Sequence, residues 1–408
     1  MKILYINHYA GSPRHGMEFR PYYLAREWVR SGHQVHMLAA DYSHLRQVNP
    51  VLEDSCQVEQ VDGITYTWCK TPAYEGNGVA RVKNIFAFLW RAWRMSGRYQ
   101  SAFKPDVVIA SSTYPLDTLL AARIARKAGA RLMYEVHDLW PLTPVEVGGM
   151  SPKHPFIRLL QWAEDFGYRT ADVVVSMLPC AKDYMMAHGM AAEKYVVIPN
   201  GVDVAEWQGN TTELPVVHQQ VLSGLRAQGR FVIGYAGGHG LANALDVMLA
   251  AASQLKDVPV TFVLVGEGPD KQALQAEAIR LGLDNVVFLA GIPKTAVPAF
   301  LAQTDALFIG WRKLPIYRFG INPNKLFDYM MSGKPVVHSV TAGNDMVQEA
   351  GCGISVAAED PAAIARAVKD MMNLSAAERS RMGQAGQQYV LAKHDYKVLA
   401  ARFVAAMQ

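Results

Sequence analysis

Short uninterrupted apolar runs recur along the chain, and stretches with helical period separate them. Residues 2–7 read as a buried strand, 18–31 as a helix stopped by Gly32, and 34–39 as a second strand. A loop bearing Gly and Pro, residues 10–17, follows the first strand. Strand, loop, helix and strand in this order predict a parallel sheet built from βαβ units. The pattern recurs at 106–110 (DVVIA), a helix over 116–128, 131–136 (RLMYEV) and 173–177. After 196–203 (VVIPNGVD) it restarts with 231–236 (FVIGYA), a helix over 245–255 and 260–265 (VTFVLV), then continues at 285–289, 306–309 and 335–338. The predicted class is α/β: two doubly wound Rossmann-like halves, joined near residue 200 where Asn200-Gly201 is a turn signal. A last helix over 376–407, with a break near Lys393-His394-Asp395, is longer than one half needs and is expected to cross back to the first. The predicted domains are 1–200, 201–385 and a returning helix, 386–408.

Composition narrows this little. Of 408 residues, 50% are hydrophobic and 19% charged, which excludes disorder as the main state. Forty basic against 36 acidic residues leave +4, too mild to imply a polyanionic partner from bulk charge. Cys56, Cys69, Cys180 and Cys352 form no C-x-x-C, so neither a zinc knuckle nor a disulfide framework is suggested; they read as small hydrophobes in a reducing compartment. The opening MKILYINHYAG reads as a strand rather than a signal peptide, and no run approaches the roughly 20 apolar residues that span a bilayer. A soluble, cytoplasmic protein is expected.

Ligands of open parallel sheets sit beyond the carboxyl ends of the strands, and two such sheets facing each other would form an interdomain cleft. Glycines stand in those loops: Gly11 and Gly16; Gly237, Gly238 and Gly240; Gly266 and Gly268. They would let main-chain N–H groups approach an anion. No G-x-G-x-x-G opens the chain, which counts against a dinucleotide cofactor. The sharpest segment is 319–337, FGINPNKLFDYMMSGKPVV. Pro323 is suited to a first helical turn and Asn322 to its cap. Lys325 then lies in the first turn, where the helix dipole penalises a cation unless an anion binds there too. With free backbone N–H groups it would cradle a diphosphate, and Asp328, about one turn on, would reach a ribose diol. The bland alternative is a surface ion pair between Lys325 and Asp328.

This segment resembles the nucleotide-sugar signature of the group 4 glycosyltransferases, the retaining enzymes of the GT-B fold. The resemblance spans nearly the whole chain. It includes the first strand with its glycine loop, 134–141 (YEVHDLWP), 198–203 (IPNGVD), 264–269 (LVGEGP), and 324–330 (NKLFDYM) followed by 333–337 (GKPVV). It is strongest to bacterial O-antigen and capsule enzymes, including transferases of amino-deoxy sugars such as N-acetylfucosamine. The resemblance implies sugar transfer with retention from a nucleoside diphosphate, UDP by family habit, to a lipid-linked saccharide of bacterial surface polysaccharide synthesis. It places donor binding on Gly16, Gly237, Gly238, His239, Gly266, Gly268, Ile292, Gly320, Ile321, Asn324, Lys325, Leu326 and Asp328. It gives catalysis to His137, Lys325 and Asp328. His137 would bind a sugar hydroxyl and support developing positive charge through its carbonyl. Lys325, the 321–326 backbone and the Gly16 loop would stabilise the leaving diphosphate. No metal or cofactor is expected, and no Asp-x-Asp motif is present. Two departures stand out. The first acid of the family's two-carboxylate motif falls on Gly320, and the basic pair after the Gly237-Gly238 strand is absent, with His239 and Asn243 in that region. Other readings are a sugar-nucleotide epimerase and a non-catalytic nucleotide-sugar-binding subunit.

Glu18, Arg20 and Tyr114 are placed by position on the acceptor side. Residues 76–105 contain Arg81, Lys83, Arg91, Arg94, Arg98 and Lys104 and no acid, interleaved with Ile85, Phe86, Phe88, Leu89, Trp90 and Trp93. Such a helix, 80–104, can lie on an anionic membrane at the cytoplasmic face of the inner membrane. The same residues also fit a core helix packing Phe86, Leu89 and Trp93 inward with a solvated basic face. No motif supports nucleic acid.

Overall fold

The structure is a computed structural model that describes residues 1–16, 19–76, 78–209 and 212–408. It divides into two units, Met1–Asn200 with Tyr396–Gln408, and Gly201–Asp395. In the first unit the strands are β1 (Lys2–Ile6), β2 (Gln34–Ala40), β3 (Cys56–Val61), β4 (Ile64–Cys69), β5 (Val107–Ala110), β6 (Arg131–Val136), β7 (Val173–Ser176) and β8 (Tyr195–Val197). They form one sheet in the order β3-β4-β2-β1-β5-β6-β7-β8. Every pairing is parallel except β3 with β4, a hairpin that closes one edge. The central strands are buried on both faces, as in a sheet covered by helices on both sides, and mostly apolar; Glu135 on β6 is the charged exception in their interior.

The second unit repeats the plan. Its strands β9 (Phe231–Ala236), β10 (Val260–Val265), β11 (Val286–Leu289), β12 (Ala306–Gly310), β13 (Val336–Ser339) and β14 (Gly353–Val356) order as β11-β10-β9-β12-β13-β14, all parallel. In each unit the order reverses beside the first strand, β1 or β9, so the loops after those strands lie at the switch point where such sheets hold ligands.

The chain returns to the first unit at Tyr396, ten residues later than the 386 expected from the pattern. Ala376–Lys393 stays in the second unit, opened by a capping box between Ser375 and Glu378. It ends where the Val202 N–H donates to the His394 carbonyl, tying together the two ends of that unit. The helix Tyr396–Met407 packs on Phe19–Arg30 of the first unit. Trp28 meets Phe403 at 5.2 Å, and its indole N–H donates to the Ala400 carbonyl. Phe403 is fully buried, so its truncation to Ala would cost about 3–5 kcal/mol.

The helix Val79–Arg98 buries Asn84, Ile85, Phe88, Ala92 and Ser96. Of the inward face expected of a core helix, Leu89 packs on the core as expected, while Phe86 and Trp93 face outward and Ile85 and Phe88 take their place. Phe86, Trp90 and Trp93 are exposed at 45, 57 and 44%. Both faces carry aromatics, so helical period alone does not choose between them. No described helix is long and apolar enough to cross a membrane.

Candidate active site

In the first unit, the strand ends gather around a buried carboxylate. Glu135, on β6, has no exposed surface. Its Oε1 accepts from Arg20 Nε at 3.0 Å and Nη2 at 2.8 Å; its Oε2 accepts from the Ser111 hydroxyl at 2.6 Å and from the Tyr5 hydroxyl. Burial alone would raise its pKa, but the Arg20 guanidinium and hydrogen bonds from His137 and Ser111 hold it well below the usual carboxylate range. Arg20 also donates to the carbonyls of Ile198 and Pro199, where the first unit ends.

His137 follows β6. Its Nε2 lies 2.9 Å from Ser111 Oγ. Ser111 has one hydroxyl hydrogen and gives it to Glu135, so His137 must be the donor in the second bond, which fixes the proton on Nε2. Asn7 anchors the Ser111 carbonyl at 2.8 Å, and Asp117 accepts from the N–H groups of Ser111 and Ser112. Burial pushes Asp117 up to about 6. His137 is thus held by a chain of partners that runs back into the core.

Three expectations for this unit change. Arg20 is buried, with its guanidinium committed to Glu135 and two carbonyls, so it is a structural residue rather than an acceptor-side group. Tyr114 is fully buried and its hydroxyl lies 2.7 Å from His8 Nδ1, which removes it too from the acceptor side. The Gly16 N–H closes its own loop on the Ser12 carbonyl at 3.0 Å and is not an open donor. Glu18 lies outside the described residues.

In the second unit two glycine loops cross. A Cβ on Gly266 would sit 1.9 Å from the Gly237 carbonyl, so only glycine permits this approach of the β10 loop to the β9 loop. The His239 N–H donates to the Glu267 carbonyl at 2.8 Å. Lys271 donates to the carbonyls of Gly266 and Leu289 and to the Glu267 carboxylate, which also takes the Gly291 N–H beside Ile292. The loops after β9, β10 and β11 are thereby joined.

Lys325 points into this crossing. Its ammonium donates to the Tyr235 hydroxyl at 3.0 Å and to Asn243 Oδ1, and it lies 4.8 Å over the Tyr235 ring. Tyr235 and Asn243 in turn donate to the Gly238 carbonyl at 2.7 and 2.9 Å. Both oxygens that face Lys325 are neutral. Burial pulls its pKa down to about 8. The ion pair with Asp328 does not form; Asp328 faces Trp207 and Lys294 instead, and burial raises it to about 6.

The helix that carries Lys325 is Asn324–Met331, with Pro323 as its N-cap and no side-chain cap bond, so Asn322 does not cap it. Of the 321–326 amides, Ile321 donates to Asn344 Oδ1 at 2.7 Å and Leu326 to the Pro323 carbonyl at 3.1 Å. The amides of Asn324 and Lys325, at the first two helical positions, have no partner among the described residues. Gly320 has φ 105° and ψ 166°, a conformation essentially restricted to glycine. A glutamate there would need a different backbone. His239 is fully buried, and neither ring nitrogen has a partner among the described residues. Burial, Lys271 and Lys325 lower its pKa to about 4, so it is neutral at pH 7; of the two cations that act on it, Lys271 is paired with Glu267 and Lys325 faces neutral oxygens. No described group of three or more His, Cys, Asp or Glu side chains could hold a metal ion. Tyr235, Lys271, Tyr329, Asp117 and Asn344 went unnoticed in the sequence. Tyr329, whose hydroxyl bonds both polar groups of the Ala236 backbone, stood inside a quoted motif.

Comparison with known proteins now bears on this geometry. Residues 15–201 match the glycosyl transferase 4-like domain and residues 230–373 the glycosyl transferases group 1 domain. The two matches fall one in each unit, and the chain carries the paired domains of a glycosyltransferase. It is 24% identical over 352 residues to WcaI of Escherichia coli (strain K12), named for colanic acid biosynthesis, covering 82% of each chain. It is 22% identical to the glycosyltransferase WbjE of Pseudomonas aeruginosa, over 74% of this chain and 77% of that one. Among solved structures it is similar to Anabaena HepE in complex with UDP, with a TM-score of 0.68 at 15% identity over 100% of this chain and 99% of that one. The fold is that of the GT-B glycosyltransferases.

Proposed function

We propose that the protein transfers a sugar, with retention of anomeric configuration and without a metal, from UDP to a lipid-linked saccharide in bacterial surface polysaccharide synthesis. The transferred sugar is an N-acetylated amino-deoxy sugar. One observation carries the reading: a partly buried cation, Lys325, whose facing partners among the described residues are neutral, beside two open amides at a helix N-terminus. An anion completes that set. The bound UDP of HepE and the name of WcaI support the donor and the pathway class.

The barrier lies in breaking the bond between the sugar and the phosphate, and negative charge grows on the leaving diphosphate. Lys325 and the amides of Asn324 and Lys325 stabilise that charge more in the transition state than in the ground state. Asp328 holds the ribose. His137, oriented through Ser111, holds a hydroxyl of the transferring sugar, and its carbonyl faces the developing positive charge. The exposed Phe86, Trp90 and Trp93, beside Lys83, Arg94 and Arg98, form a face suited to anionic lipid headgroups, where a lipid-linked acceptor resides. Co-sedimentation with vesicles containing anionic lipid checks that face: a variant with Trp90→Ala and Trp93→Ala remains folded and loses most of the bound fraction at low salt.

The experiment that tests the function is product analysis with a panel of UDP- and GDP-sugars, with and without lipid-linked acceptor, in EDTA. The proposal expects an acceptor-dependent, α- or β-retained product. An epimerase would release nucleotide without acceptor, and a non-catalytic subunit would bind UDP and never turn over.

A further inference from the structure

The β3–β4 hairpin carries two thiols that face each other. Cys56 opens β3 and Cys69 closes β4, and the antiparallel register sets them directly opposite. One step outside this pair, the Lys70 N–H donates to the Ser55 carbonyl at 2.9 Å. Hydrogen-bonded and non-hydrogen-bonded pairs alternate along an antiparallel ladder. Cys56 and Cys69 therefore occupy a non-hydrogen-bonded pair, the kind whose side chains approach most closely. Their sulfurs lie 3.5 Å apart. The Cα separation of such pairs, about 4.5 Å, is within the span of a disulfide, so side-chain rotation suffices to close the bond.

The surroundings give the two sulfurs different roles. β3 is the edge of its sheet. Cys56 is partly exposed there, and Cys69 is buried. The hydrogen bond with Cys69, together with Arg91 and Arg98, holds the Cys56 thiol below its ordinary pKa, while that bond and burial hold Cys69 above it. Cys56 is the reachable, more ionised sulfur.

We propose that Cys56 and Cys69 form a reversible dithiol site that small disulfides of the glutathione class oxidise to an intrachain disulfide. The Cys56 thiolate attacks one sulfur of the small disulfide. A mixed disulfide forms, and the other half leaves as a thiolate. Cys69 gives its proton to that thiolate and attacks Cys56 Sγ, forming the protein disulfide and expelling the second half as a thiolate, which is protonated from solvent. Two protein thiols are oxidised and one small disulfide is reduced to two thiols. Of the four cysteines read from the sequence as small buried hydrophobes, Cys69 and Cys352 are buried, Cys56 is partly exposed and Cys180 is exposed.

The test uses the full-length protein with Cys180→Ser, which removes the exposed third thiol. Native protein is incubated with oxidised glutathione, and intact mass and peptide mapping are read. The proposal expects loss of two hydrogen masses, a cross-linked peptide joining Cys56 to Cys69, and reversal by excess reduced glutathione. Adding Cys69→Ser leaves a lasting glutathionyl group on Cys56; adding Cys56→Ser leaves the mass unchanged. Hydrogen exchange at the β3 amides slows in the oxidised form. A native protein that stops at the Cys56 adduct, or that forms the disulfide only in denaturant, overturns the proposal. Mapping of the unmodified chain reads the same bond if the Cys180 variant folds poorly.

Discussion

Each unit draws a charged side chain inward, Glu135 fully and Lys325 partly buried, and the two treat it in opposite ways. Glu135 is met by a guanidinium on one oxygen and two hydroxyls on the other. Lys325 is met only by the neutral oxygens of Tyr235 and Asn243. A buried charge that is fully paired holds a structure in place. One left with neutral partners still lacks its strongest favourable interaction. The first unit is thus built as a finished scaffold for His137, and the second as an unfinished one that a dianion completes.

The sharpest way to break this comparison is to neutralise each charge in turn. Glu135→Gln strands Arg20 in the interior and should cost about 3–5 kcal/mol of stability in urea unfolding. The pairing also sets an acid limb. Glu135 has a lowered pKa, so its contribution is present above the ordinary value of 4.5 and is lost as pH falls below it; the variant flattens that limb. Lys325→Met removes a desolvated cation and should leave unfolding unchanged or slightly improved, while UDP affinity by calorimetry falls roughly 100-fold. Equal stability losses in the two variants would contradict the contrast.

Smaller effects sharpen it. His137→Ala should lower turnover by about 10- to 100-fold, the scale of a lost positioning contact, and leave UDP affinity near normal. Near-normal turnover would remove His137 from the mechanism. The pH dependence of UDP binding should report Lys325. Its pKa in the free protein is about 8, and a bound dianion raises it. Affinity is therefore full below pH 8 and falls above it, by up to about tenfold per unit, until the pKa of the complex is reached. The decline disappears in Lys325→Met.

What the sequence disclosed follows from what each interaction depends on. β9 and β10 begin and end where their apolar runs do, because a strand buried on both faces is almost wholly apolar. Lys325 was legible because a cation in a first helical turn contradicts local electrostatics, and such contradictions mark sites. The Arg20–Glu135 pair was not, since its partners lie 115 residues apart and meet only through the parallel register. Position along the chain placed Arg20 and Tyr114 near the acceptor side; burial, which depends on the packed fold, took them away. The helix Val79–Arg98 showed its composition but not its orientation, since apolar residues recur on more than one of its faces.

The most direct measurement is a crystal structure of the protein with UDP. The account predicts a phosphate oxygen within hydrogen-bond distance of Lys325 Nζ and of the amides of Asn324 and Lys325. A diphosphate bound elsewhere, with Lys325 still turned to Tyr235 and Asn243, would contradict it.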